Sequence, residues 1–102
     1  MAFTNTTGRF ASFGTVSHIP GEVIDAFWYI IDNNLKGVFT LDPVISFDLL
    51  NSNGKLSIKF YQDTNPTTIT VDFEYPYSSN FPRTFHATDN MGRETIMLPQ
   101  EL

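Results

Sequence analysis

The residues with most chemical potential stand together in SHIPGEVIDAFWYIID, residues 17–32, which sets a histidine, a glutamate and two aspartates beside the only tryptophan of the chain. His18, Glu22 and Asp25 are suitable ligands for a divalent ion, as a histidine with two carboxylates often is. Their spacing matches no established ligand motif, and His18 precedes the helix that the following residues form, so its side chain need not share their face. The simpler assignment for Glu22 and Asp25 is to complement the positive end of that helix. No metal is therefore expected, and a metal-dependent enzyme remains an alternative reading. His86 alternates with Phe85 and Ala87 and is expected on the outward face of a strand. Serines and aspartates are numerous enough to compose a Ser-His-Asp triad on paper, yet no GxSxG nucleophile motif is present. GxGxxG and P-loop patterns are absent too. The chain has no Cys, which removes disulfides, thiolate nucleophiles, zinc ribbons and cysteine-held iron–sulfur clusters. No cofactor is expected.

The elements that would carry these residues can be read from period and punctuation. Residues 1–7 read as a disordered or frayed lead, followed by one α+β domain over 8–102, since 102 residues allow a single core. An extended segment is expected over Arg9–Ile19, interrupted by Gly14. Pro20 suits the first position of a helix. Val23, Ile24, Phe27, Trp28, Ile30, Ile31 and Leu35 then recur at helical spacing, and Gly37 closes the helix in the position that tolerates left-handed backbone. Ile45, Phe47 and Leu49 alternate with Ser46 and Asp48, the signature of a half-buried strand. Asn51-Ser52-Asn53-Gly54 is a hairpin turn. Leu56, Ile58 and Phe60 form the return strand, and Ile69, Val71, Phe73 and Tyr75 alternate with Thr68, Thr70, Asp72 and Glu74 in the next. Short strands over Thr84–Thr88 and Glu94–Leu98 finish the chain. The expected fold is two-layer α+β, with one amphipathic helix packed on an antiparallel sheet of five or six strands.

These features, in order, resemble a bacterial family known as domain of unknown function 960, found in low-GC Gram-positive bacteria and on their phages and mobile elements. The resemblance rests on Ile19-Pro20 before the helix, Trp28 and Ile31-Asp32 within it, the Asn53-Gly54-Lys55 hairpin, and the closing Met97-Leu98-Pro99-Gln100-Glu101. It spans about residues 8–102 and implies this fold and a bacterial or mobile-element origin. It implies no activity.

Composition bounds the function further. Eleven acidic and six basic residues give a formal charge of −5, and Arg9, Lys36, Lys55, Lys59, Arg83 and Arg93 are dispersed, so direct nucleic-acid binding is not expected. No apolar run of eighteen residues and no apolar leader is present, so neither membrane insertion nor export is expected, and the cytoplasm is the expected location. The expected role is non-enzymatic: binding another macromolecule, most simply a protein, or self-association, since strand edges and aromatics allow a homodimer. An acidic inhibitor of a host nuclease, repair or defence protein, carried by a mobile element, is the alternative. Candidate contact residues are Tyr77 and Phe81 in the loop YPYSSNFPR, Trp28 on the helix, and Asp72 and Glu74 on the outward sheet face.

Overall fold

The computed structural model describes residues 2–102. One six-stranded sheet runs through it: β1 (Gly8–Ala11), β2 (Val44–Ser52), β3 (Lys55–Gln62), β4 (Asn65–Pro76), β5 (Thr84–Asn90) and β6 (Arg93–Met97), in the spatial order β1-β6-β5-β2-β3-β4. All neighbours are antiparallel except β1, which joins β6 in parallel and pairs Arg9 with Glu94. The main helix α2 (Gly21–Ile30) crosses one face, and a short helix α1 (Phe13–His18) precedes it. The expected α+β architecture, an open and mostly antiparallel sheet under one main helix, is what the chain adopts.

The segment 9–19, expected to be extended throughout, is a four-residue strand followed by α1. Ser12 stops the strand and caps the helix, its Oγ accepting the Thr15 N–H at 3.1 Å. Thr15 is buried and donates to the Ile96 carbonyl at 3.0 Å, fixing α1 to β6. Phe10, Phe13 and Val16 in this segment are spaced by three, as in a helix, and all three are exposed, Phe13 at 84%. At the other end of the chain, Glu101 accepts from Ser12 Oγ at 2.6 Å and from the Gly14 N–H at 3.2 Å. These bonds, Ser12 first, hold its carboxyl below the usual range.

The helix begins one residue later than expected, with Pro20 as the residue before it. After Ile30 it widens into one π-helical turn, Ile31–Leu35, in which the Lys36 N–H reaches the Ile31 carbonyl at 3.0 Å. The extra residue in that turn keeps Ile31 and Leu35 buried while Asp32 stays at the surface. Gly37 ends it at φ +80°. The Asn53-Gly54 hairpin has φ 53° and 87°, as a tight two-residue turn between paired strands requires.

Core packing centres on Phe27, whose ring lies 5.1 Å from Phe47 and 5.4 Å from Phe85. Phe60 joins Phe47 and Phe39 in the same layer. Of the lead expected to be frayed, Ala2 and Phe3 pack on the core and Thr4–Thr7 are exposed, with Met1 outside the described residues. Phe3 is fully buried, its N–H donates to Asp89 Oδ2 at 2.7 Å, and the Thr7 N–H donates to the Gly92 carbonyl at 2.8 Å. Gly92 is required there, because its φ is +92° and a Cβ would sit 2.4 Å from the Asn5 carbonyl oxygen. A polar-looking TNTT sequence hides this, since one phenylalanine and backbone bonds anchor the segment.

Phe3→Ala is therefore expected to destabilise the protein by about 3 kcal/mol in urea unfolding. A frayed lead would give a change within about 0.5 kcal/mol.

Candidate functional site

Three surfaces bring polar chemistry together. The first lies at the β1/β6 flank. Glu94, the second residue of β6, lies on the same face as the buried Ile96 and is itself fully buried. Its Oε1 receives Arg9 Nε at 3.0 Å and its Oε2 receives Thr6 Oγ1 at 2.5 Å. Arg9 extends beyond Glu94 to hold Asp32 with two bonds, 2.8 and 2.6 Å, and Lys36 adds a contact to Asp32 at 3.3 Å. The guanidinium also lies 4.8 Å from the centre of the Trp28 ring, in cation–π range. Its bonds to Asp32, the strongest influence, raise the Arg9 pKa, and the same pair lowers that of Asp32. Both oxygens of Glu94 are occupied, so this arrangement joins the helix to the sheet edge and offers no free acid or base.

The second surface is the open sheet face. Ser46 Oγ lies 3.0 Å from His86 Nδ1, and Asp48 Oδ1 accepts from Tyr61 at 3.1 Å and from Thr84 at 2.8 Å. A triad would need an aspartate on the imidazole nitrogen opposite the serine, whereas Asp48 is engaged by Tyr61 and Thr84. Burial, with the bond to Asp48 second, raises the Tyr61 pKa and keeps the phenol protonated. His86 does face outward, as its alternation implied.

The third surface is a groove of about 510 Å³ between α2 and β4. Ala26 and Tyr29 form one wall, Val71 and Phe73 the other, and Tyr29 meets Phe73 edge-on at 6.3 Å between ring centres. Glu22 and Asp25 stand above it on α2, with Asp72 and Glu74 along the β4 rim. Asp72 accepts from Ser57, and Glu74 pairs with Lys55, both on the far side of the sheet. Among the described residues, no cation comes within ion-pair distance of Glu22, Asp25 or Asp72.

The structure separates the sequence candidates. His18 turns back to the Gly14 carbonyl, 2.7 Å away, apart from the groove that Glu22 and Asp25 overlook. Among the described residues no three metal-ligating side chains group together. Trp28 is half-buried beneath Arg9. Tyr77 and Phe81 pack edge-on at 5.9 Å, half-buried against the core, where they close an end of the sheet. Asp72 and Glu74 are exposed at the groove. Sequence reasoning missed Arg9, Glu94 and Tyr29. Glu94 had a signal, since it alternates in phase with Ile96 and Leu98 and so had to point inward. Its partner, 85 positions away, had none. Among the described residues no helix is long and apolar enough to cross a membrane.

Removing Arg9 leaves the Glu94 carboxylate buried with only Thr6, so Arg9→Met is expected to cost about 3 kcal/mol in urea unfolding. Asp32→Asn, at a surface pair, is expected to cost less than about 1 kcal/mol. Because the folded pKa of Asp32 is depressed, its share is present above the unfolded value of about 3.9 and is lost as pH falls through the folded one. The stability gap between the wild type and Asp32→Asn should accordingly close below about pH 4. Equal costs for the two variants would contradict this arrangement.

Comparison with known proteins agrees with the geometry at the level of fold. No curated protein matches the chain. A solved structure, described as the crystal structure of the protein of unknown function from Enterococcus faecalis, is 44% identical, with a TM-score of 0.91, covering 93% of this chain and 90% of that one. The family model described as staphylococcal protein of unknown function (DUF960) matches residues 8–101. With nearly the whole chain inside that match, from β1 to the final turn, this protein belongs to the DUF960 family.

Proposed function

We propose that this protein acts without catalysis, by binding another protein through the groove between α2 and β4. The observation that supports the reading is an apolar floor left partly open beneath Glu22, Asp25 and Asp72, none of which is in an ion pair among the described residues. Tyr29 is 54% exposed, and Val71 and Phe73 are only half-buried, although all three stand on the helix-covered side of the sheet. Aromatic area of that kind, framed by charge, is the usual composition of a protein-binding surface.

The charge selects the partner. Glu22, Asp25 and Asp72 repel phosphate and attract lysine and arginine, so the partner carries apolar side chains flanked by basic ones. A host nuclease, repair or defence protein inhibited at a basic surface is a narrower form of the same chemistry. The Cys-free composition fits action in the cytoplasm. Trp28, Tyr77 and Phe81 act chiefly in packing under this reading, and Asp72 and Glu74 keep their role as contact residues.

The full chain, used as bait in nuclease-treated lysate of a Gram-positive host, is expected to capture a partner that Tyr29→Ala and a Glu22→Lys/Asp25→Lys double variant each lose by at least about tenfold, roughly 1.4 kcal/mol. All three positions are exposed, so Tyr29→Ala should leave stability within about 0.5 kcal/mol, while the two charge reversals at the start of α2 should cost no more than about 2 kcal/mol and leave the chain folded. Capture should also weaken as salt rises to about 0.5 M. Undiminished capture by both variants would overturn the assignment of the groove.

A further inference from the structure

The edge beside the groove carries a second kind of unmet valence. β4 is the last strand of the sheet and pairs with β3 alone. It runs for twelve residues with its prolines, Pro66 and Pro76, at its ends; its pairing with β3 shifts register towards either end, and Ile69–Asp72 between the two shifts presents a continuous row of backbone N–H and C=O groups on its free side. Natural sheets usually shield an edge of this length with lysine, proline or a covering element. Here the interior of β4 holds neither lysine nor proline, and α2 stops short of it, leaving the groove.

Side chains along this edge alternate in character. Val71 and Phe73 face the groove, and Thr70, Asp72 and Glu74 face the opposite side of the sheet and are exposed. A strand laid against β4 would place every second side chain over Val71, Phe73 and Tyr29, with Glu22 and Asp25 above them, and the intervening side chains beside Asp72 and Glu74. A helix in the groove would leave the backbone row unmet. A second copy of this chain would set Asp72 and Glu74 near another β4 of the same charge, and like charges across a strand pair are unfavourable.

We infer that the edge of β4 takes an extended segment of a partner protein as a seventh strand, with aliphatic or aromatic residues alternating with lysine or arginine. The inference rests on the groove being the binding surface and adds how the partner lies in it. Backbone pairing supplies the affinity and the alternation supplies the selectivity, as in other cases of strand addition.

The test uses the full chain and a synthetic peptide of about nine residues, close to a strand's usual length, alternating Lys with Val and Phe. Two further peptides of identical sequence carry N-methyl groups on the amides of one edge or of the other. The parent peptide is expected to bind with chemical-shift changes centred on Thr70–Glu74. One methylated form should bind at least about tenfold more weakly, having lost several hydrogen bonds, and the other should bind within about twofold of the parent. If both methylated forms bind like the parent, or both weaken equally, strand addition is overturned while the groove can still be the binding surface. A parent peptide that does not bind also overturns it, and the lysate experiment with Tyr29→Ala then decides separately whether the groove binds a protein at all.

Discussion

The constraint on which the structure depends is one of width. Six strands span about 24 Å at their usual spacing, and one helix with its side chains covers about 10 Å. α2 is therefore wide enough for the centre of the sheet, where Phe27 meets Phe47 and Phe85, and too narrow for both flanks. Each flank needs another solution, and the two solutions are different in kind.

At the β1/β6 flank the solution is ionic. Glu94 is fully buried, and burying a carboxylate is costly unless it is paired and hydrogen-bonded. Arg9 provides the pair from the neighbouring parallel strand, reaches on to Asp32, and covers Trp28 with its guanidinium. The lead around Phe3 and the contacts of Glu101 with α1 close the same side, so both ends of the described chain are gathered at one edge. That edge is short, β1 being only four residues long, and Phe10, Phe13 and Val16 stand exposed beside it. The β4 flank has no comparable cover. Phe39 packs at one end and Tyr77 with Phe81 at the other, with the groove between them. Its edge is long, its floor apolar and its rim acidic.

Period and turn chemistry made the centre of the fold legible in the sequence. The stripe from Val23 to Leu35, the alternation around Phe47, Ile58 and Val71, and the Asn53-Gly54 turn are local signals, and each predicted its element. The misread parts depend on contacts between distant residues. Ser12 converts an extended-looking segment into α1 only because Thr15 finds the Ile96 carbonyl, and the lead holds only because Phe3 and Thr7 meet Asp89 and Gly92. The parallel joining of β1 to β6 has no short-range signature at all. The candidate site was legible in part. Asp72 and Glu74 were visible as a charged strand face, and Glu22 and Asp25 as helix-start carboxylates, but nothing local says that these two pairs overlook one groove. Tyr29 lies outside the apolar stripe of the helix, and its role is visible only once Phe73 stands opposite it.

Sequence, packing and surface meet in the claim that one flank is tied by ion pairs while the β4 edge of the other is open. Native-state hydrogen exchange on the free protein tests it most directly, resolved residue by residue along β4 and β6. The account predicts that amides over Ile69–Asp72, the stretch in continuous register with β3, alternate, those bonded to β3 being slow and those on the free edge exchanging close to the rate of an unstructured chain. Amides of β6, held between β1 and β5, should be slow throughout. Uniform protection along β4 would mean that its edge is already covered in the free protein, and that result would contradict the account.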